Sequence, residues 1–199
     1  IEVCLVGSEM CIRDSIDSHR ALPTVSRNEK EVREIDLFPF AQGINAGVDL
    51  VMTSHICFEA LDPNKPATFS SLILNNLLRE ELGFGGVVVS DSMNMHSLQK
   101  NYDSVDAAVE ALCSGVDLIM LAEEHYDHDS QYQVRQRRLI EGVQKAFRDG
   151  KIPENRIVDA ISRVRMLKGK IKNVENPRFE DSTWAVSYTH LRAHETHLN

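Results

Sequence analysis

A carboxylate directly follows the most apolar run of the chain. Residues 85–95 read GGVVVSDSMNM, so three consecutive valines, which predict a buried strand, are followed at once by Ser90 and Asp91. An ionised carboxylate is costly to bury, so we expect Asp91 where the strand emerges from the core. A carboxylate fixed at such a rim could reach a substrate. Its position is equally compatible with a simple cap on a helix over residues 92–98.

The elements that must position this residue alternate between helices and strands. The spacing of apolar residues, together with Gly and Pro at the boundaries, predicts helices over 29–47, 68–84, 104–115, 131–150 and 153–171, and strands over 48–56, 87–90 and 116–124. We expect Thr68 or Ser70 to cap the second helix and Ser104 to cap the third. The strands end in polar residues, at Ser54-His55, Ser90-Asp91 and Glu123-Glu124.

An internal echo indicates how the strands are arranged. AGVDLVM (46–52) and SGVDLIM (114–120) share Gly, Val, Asp, Leu and Met in order, each where a helix ends and a buried strand begins. Such units predict a parallel sheet covered by helices. No glycine-rich phosphate loop follows a strand, which favours a barrel over a nucleotide-binding open sheet. A complete barrel needs about 250 residues, so we predict an α/β fold that is the C-terminal half of a (β/α)8 TIM barrel.

Composition narrows the possible partners. The net charge of -8 argues against nucleic acid or an anionic membrane surface, and no apolar run reaches the roughly 18 residues of a membrane-spanning helix. Asp49 and Asp117 begin their strands, so we expect them to be structural. Cys57 and Cys113 are too few for a disulfide framework.

The two ends of the chain are expected to be foreign to the domain. Residues 1–15 and 185–199 resemble translated sequencing-adapter sequence, which leaves a domain over residues 16–184. We therefore assign no function to the cysteines and histidines of these ends, which are Cys4, Cys11, His190, His194 and His197. The true N-terminus is expected to be missing, so the location stays open between cytoplasm and secretion.

Residues 51–95 closely resemble the catalytic domain of glycoside hydrolase family 3. The resemblance rests on PATFS at 66–70, LREELGF at 78–84 and a strand ending in Ser-Asp with a Met shortly after. It extends over about residues 16–171. In that family the aspartate of Ser-Asp is the nucleophile, which implies this role for Asp91. His55 is then a candidate contact to a sugar hydroxyl. Met93 is a candidate substrate contact too, although packing of the cleft and core is its more ordinary role.

A second stretch, IDSHRALP at 16–23, resembles the mobile loop of the β-N-acetylhexosaminidase branch. The resemblance implies that His19 is the general acid/base and that Asp17 orients it. A retaining glycosidase needs one carboxylate to attack the anomeric carbon and one group to protonate the leaving oxygen. A histidine with a pKa near 6.5 suits the second role.

The expected activity is therefore retaining, exo-acting hydrolysis of terminal β-linked N-acetylglucosamine from peptidoglycan or chitin fragments, as in cell-wall recycling, without metal or organic cofactor. Phosphate could replace water as acceptor. A β-glucosidase and a non-catalytic sugar-binding barrel are the alternatives. The family's Lys-His and Gly-His-Gly sugar-binding motif should precede Asp17, where adapter-like residues stand. We therefore expect the 199-residue chain alone to be inactive. The sequence makes no prediction of oligomeric state.

Overall fold

The computed structural model describes residues 22–121 and 132–172 of the chain. The chain divides into two compact units at Leu167 and Lys168, and the fold and candidate site lie in the first. The elements run β1 (Thr24–Val25), α1 (Glu29–Glu31), a π-helical segment (Val32–Asp36), α2 (Phe38–Asn45), β2 (Leu50–Met52), β3 (Cys57–Phe58), a 3-10 turn (Ala67–Phe69), a π-helix (Leu72–Glu81), β4 (Val87–Ser92), α3 (His96–Gln99), α4 (Ser104–Ser114), β5 (Leu118–Met120), α5 (Tyr132–Arg148) and α6 (Glu154–Lys172).

The valine strand β4 lies at the centre of a parallel sheet in the order β2-β4-β5. The two strands of the internal echo are therefore its neighbours, and β2 aligns Leu50 with Val87. A second parallel pair joins β1 to β3. Parallel strands covered by helices confirm the predicted α/β fold, a partial (β/α)8 barrel.

The core packs the sheet against the helix that precedes β4. Leu74, Leu77 and Leu78 of the π-helix are buried, as their helical spacing predicts. Leu74 and Leu78 share the main apolar cluster with Val88 of β4. Burying each such side chain contributes about 1.5–3 kcal/mol. This packing fixes the direction in which β4 leaves the core.

The helix boundaries follow local chemistry, with corrections to the predicted caps. Asp103, not Ser104, caps α4, because its side chain accepts a hydrogen bond from the Val105 amide. α4 ends at Gly115, whose φ of 128° is a conformation that side chains rarely adopt. Neither Thr68 nor Ser70 is the N-cap of the π-helix, although the Ser70 hydroxyl accepts from the Ile73 amide.

The strand predicted over 48–56 is shorter in the structure. β2 ends at Met52, and the Thr53 amide still donates to the Val89 carbonyl at 2.8 Å. The side chains of Thr53 and His55 are buried and hydrogen-bonded to Thr68. Beyond β2, hydrogen bonds between these polar side chains therefore take over from the backbone hydrogen bonds that pair β2 with β4.

At the opposite end of β4, a buried carboxylate holds three arginines. The side chain of Asp117 is fully buried and lies within 3.1 Å of Arg79, Arg156 and Arg163. It also accepts a hydrogen bond from the Val88 amide. The structural role expected for Asp117 is confirmed, since this cluster joins β4, β5, the π-helix and α6.

None of the described helices has both the length and the apolar character needed to cross a bilayer.

Candidate active site

Asp91 lies at the carboxyl end of the central strand, beside an irregularity in its pairing with β5. Val89 aligns with Leu118, but Ser92 aligns with Met120, so β4 has one more residue than β5 in this interval. An extra residue makes a β-bulge, a feature that bends a strand and redirects its side chains. The side chain of Asp91 is half-buried there.

Ser90 bridges the bulge. Its side chain is fully buried, and its hydroxyl accepts a hydrogen bond from the Met120 amide at 2.9 Å. The Met120 carbonyl in turn accepts from the Met93 amide at 3.0 Å. A side-chain oxygen thus takes the place of a missing backbone acceptor. The serine of the Ser-Asp pair therefore holds the strand in the conformation that presents Asp91.

The structure argues against Asp91 as a helix cap. Its Oδ1 accepts from the amide of the adjacent Ser92 at 2.7 Å, whereas α3 begins only at His96. The turn between them is closed by Ser92, whose carbonyl accepts from the Met95 amide and whose hydroxyl accepts from the Asn94 amide. The capping alternative for this carboxylate is wrong.

His55 is buried directly behind this turn, with 2% of its surface exposed. Its Nε2 lies 3.0 Å from the Ser92 carbonyl oxygen, and its Nδ1 lies 2.9 Å from the Thr68 hydroxyl. Burial lowers the pKa of His55 below 6.5, and the Ser92 carbonyl and the charge of Asp91 oppose that shift. The protein engages both ring nitrogens, and the contact of His55 with a sugar stays a prediction.

Met93 belongs to the main apolar cluster and is 1% exposed. This burial fits the packing role that the sequence offered as the more ordinary one for Met93. A substrate contact for Met93 stays a prediction. Asp17 and His19 lie outside the described residues, as do Glu123 and Glu124. Of the five candidate site residues, the structure brings together Asp91, His55 and Met93.

Three polar residues of this region were assigned no role in supporting Asp91 from the sequence. Ser90, Thr68 and Ser92 form the hydrogen-bonded layer that supports Asp91. The sequence contains a partial sign of this layer, since Ser90 and Ser92 interrupt an otherwise apolar strand.

Across residues 22–121 and 132–172, no group of three His, Cys, Asp or Glu side chains is arranged to hold a metal ion.

Parallel strands covered by helices, with a carboxylate at the carboxyl end of the central strand, define a partial α/β-barrel domain. Residues 13–167 match the family model described as the N-terminal domain of glycosyl hydrolase family 3, so the chain belongs to this family.

Two curated relatives and one solved structure show what the chain is similar to. The chain is 31% identical over 168 residues to "Beta-hexosaminidase A" of Pseudoalteromonas piscicida, covering 78% of this chain and 28% of that protein. It is 41% identical over 109 residues to "Beta-hexosaminidase" of Psychromonas ingrahamii, covering 54% and 32%. A solved family 3 β-N-acetylglucosaminidase from Paenibacillus sp. str. FPU-7 superposes with a TM-score of 0.73 at 35% identity, covering 84% and 31%. The chain thus spans about a third of the length of these relatives.

Proposed function

We propose that the chain is the nucleophile-bearing part of a retaining β-N-acetylhexosaminidase that removes terminal β-linked N-acetylglucosamine from peptidoglycan or chitin fragments. The observation that carries the proposal is the place of Asp91. It is a half-buried carboxylate presented by a bulge at the carboxyl end of the central strand. Barrel enzymes build their active sites at this end of the sheet.

The proposed chemistry has two displacements at the anomeric carbon. Asp91 attacks that carbon, and His19, oriented by Asp17, donates a proton to the departing glycosidic oxygen. The neutral His19 then removes a proton from water, which attacks the same carbon and releases Asp91. Two inversions leave the anomeric configuration unchanged, as in other retaining glycosidases.

The surroundings of Asp91 support this role. Among the described residues, its carboxylate has no arginine or lysine partner and accepts from the Ser92 amide. Two neutral groups, the Ser90 hydroxyl and the buried His55 imidazole, hold the main chain beside it. A carboxylate nucleophile forms its new bond with an electron pair on oxygen. An ion pair with arginine or lysine would stabilise that electron pair and so make the carboxylate less reactive. The sugar specificity of the proposal comes from the relatives, which are named as β-hexosaminidases and a β-N-acetylglucosaminidase.

The test is Asp91→Asn in the whole protein, assayed with 4-methylumbelliferyl N-acetyl-β-glucosaminide. We expect turnover to fall by at least about 1,000-fold, because the amide cannot form the glycosyl-enzyme. A fluorosugar that slows release should label the wild-type peptide containing Asp91 and leave the variant unlabelled. Glu59→Gln, on an exposed residue outside this region, is the matched carboxylate control. Full turnover by Asp91→Asn would refute the proposal, and faster turnover of the matching glucoside would shift it to β-glucosidase.

A further inference from the structure

The hydrogen bonds of His55 determine which of its nitrogens carries the proton. The Ser92 carbonyl can only accept, so Nε2 at 3.0 Å must carry the hydrogen. In a neutral ring Nδ1 is then an acceptor, and its partner at 2.9 Å is the Thr68 hydroxyl. The ring is thereby fixed in one tautomer and one orientation.

The hydroxyl proton of Thr68 has three possible acceptors at 2.9 Å, which are Nδ1 of His55, the Ser54 carbonyl and Thr53 Oγ1. The Ser54 carbonyl also accepts a hydrogen bond from the Thr68 amide at 3.3 Å. This carbonyl is therefore still hydrogen-bonded when the Thr68 hydroxyl donates to the His55 ring instead. Thr53 Oγ1, at 2.9 Å, can donate to the Thr68 oxygen in the same arrangement. Every polar atom of the set is satisfied with His55 neutral.

We propose that His55 is a positioning residue for the nucleophile: its neutral imidazole holds the Ser92–Met93 peptide, one residue beyond Asp91, through a hydrogen bond from Nε2–H to the Ser92 carbonyl. The proposal rests on the function proposed above, and replaces the expected sugar contact with an indirect role. The bond lies one residue beyond Asp91, at a bulge where the regular ladder to β5 is interrupted. Loss of this anchor leaves Asp91 free to move away from the anomeric carbon.

The groups that face the ring fit a support rather than a proton carrier. The threonines Thr53 and Thr68 are uncharged, and the Phe69 ring stacks against His55 with centroids 6.4 Å apart. Asp91 is the charged group whose field reaches the imidazole. A neutral donor holds the main chain without pairing with that carboxylate.

The test compares His55→Phe and His55→Gln in the whole protein, because the glutamine amide can still donate to Ser92 whereas phenylalanine cannot. We expect His55→Phe to lower kcat/KM about 100-fold, chiefly through kcat, since small misplacements of reacting groups cost on this order. His55→Gln should recover at least about tenfold of that loss and keep the wild-type pH profile. Labelling of Asp91 by the fluorosugar should slow in parallel with kcat/KM.

Ser114→Ala is the matched control, because it removes another buried bond from a side chain to a carbonyl, that of Phe69 at 2.8 Å. It should lower the Tm without a comparable loss of kcat. His55→Phe would overturn the proposal by behaving like this control, with kcat/KM within about threefold of wild type. A rise in KM that disappears with a deoxygenated substrate would overturn it too, since it would show direct contact with a sugar hydroxyl.

A measurement on unmutated protein covers the case in which His55→Phe does not fold. Nitrogen-15 NMR of the imidazole should show a neutral ring protonated at Nε2 at pH 7. A ring protonated at Nδ1, or an imidazolium, would overturn the proposal. Failure of the proposed function is distinguished by Asp91→Asn: if that variant keeps turnover, the nucleophile is wrong whatever the ring does.

Discussion

The Asp117 cluster gives the most quantitative prediction, because removal of its carboxylate charge leaves three arginines facing one another. In Asp117→Asn the side chain keeps its size, but loses the charge that pairs with Arg79 at 2.7 Å, Arg156 at 2.5 Å and Arg163 at 3.1 Å. Burial lowers the pKa of Arg79, and Asp117 opposes that shift while Arg163 and Arg156 add to it. The substitution removes the opposing charge and leaves the destabilising ones.

The magnitude follows from how far each arginine can return to water. The side chains of Arg79 and Arg156 are only 12% and 13% exposed, while that of Arg163 is 22% exposed. Unpairing a buried ion pair costs about 3–5 kcal/mol. We therefore expect the free energy of unfolding to fall by about that amount, a large part of the 5–15 kcal/mol typical of a domain.

The assay is urea unfolding of the 199-residue chain followed by far-ultraviolet circular dichroism, with the m-value checked for constancy. The control is Glu81→Gln, which breaks a pair with Arg33 whose side chains are 50% and 38% exposed. Exposed pairs contribute about 0–1 kcal/mol. A loss below about 1 kcal/mol for Asp117→Asn, at constant m, would refute the reasoning, because it would mean that the arginines are hydrated without their partner.

Two further predictions concern the Asp91 end of the strand. Ser90→Ala removes the acceptor of the Met120 amide, so the free energy of unfolding should fall by about 1–3 kcal/mol. The kcat of the whole protein should fall too. An unchanged kcat despite lost stability would show that the bulge survives without the hydroxyl. Burial lowers the pKa of His55 below 6.5, so as the pH falls the imidazole is protonated in the unfolded chain before it is protonated in the folded one. The free energy of unfolding should therefore be highest above pH 6.5 and decline below it, by at most about 1.4 kcal/mol per pH unit. Urea unfolding at several pH values, compared with His55→Gln, isolates this contribution, and identical slopes in the two proteins would contradict it.

The sheet and the order of its strands could be predicted because the signals are local or repeated. The valine run marks β4, and the two GVD repeats mark the strands on either side of it. The boundaries were less predictable. Asp103 and Ser104 are both good caps, and only the backbone geometry selects Asp103. The apolar run over 48–56 gave no sign that Thr53 and His55 turn inward to a threonine more than ten residues away.

The position of Asp91 at the end of the central strand could be predicted, but the residues that support it could not. A carboxylate after a buried strand points to the rim, yet the sequence left the helix cap as an equal alternative until α3 was seen to begin at His96. The extra residue in β4 depends on its register with β5, and register is a property of two strands. The arginines of the Asp117 cluster come from positions up to 46 residues away, so no local pattern could reveal them.

The two ends of β4 handle negative charge in opposite ways, and the contrast bears on function. At the amino end, Asp117 is surrounded by three guanidinium groups and a backbone amide, so its charge is fully used in holding the fold together. At the carboxyl end, the described supports of Asp91 are neutral and act mainly on the main chain beside it. A structural carboxylate gains stability from cations, whereas a nucleophile would lose reactivity to them. In the proposed mechanism, these neutral supports would fix the position of Asp91 and leave its negative charge available for the sugar cation that develops at the anomeric carbon.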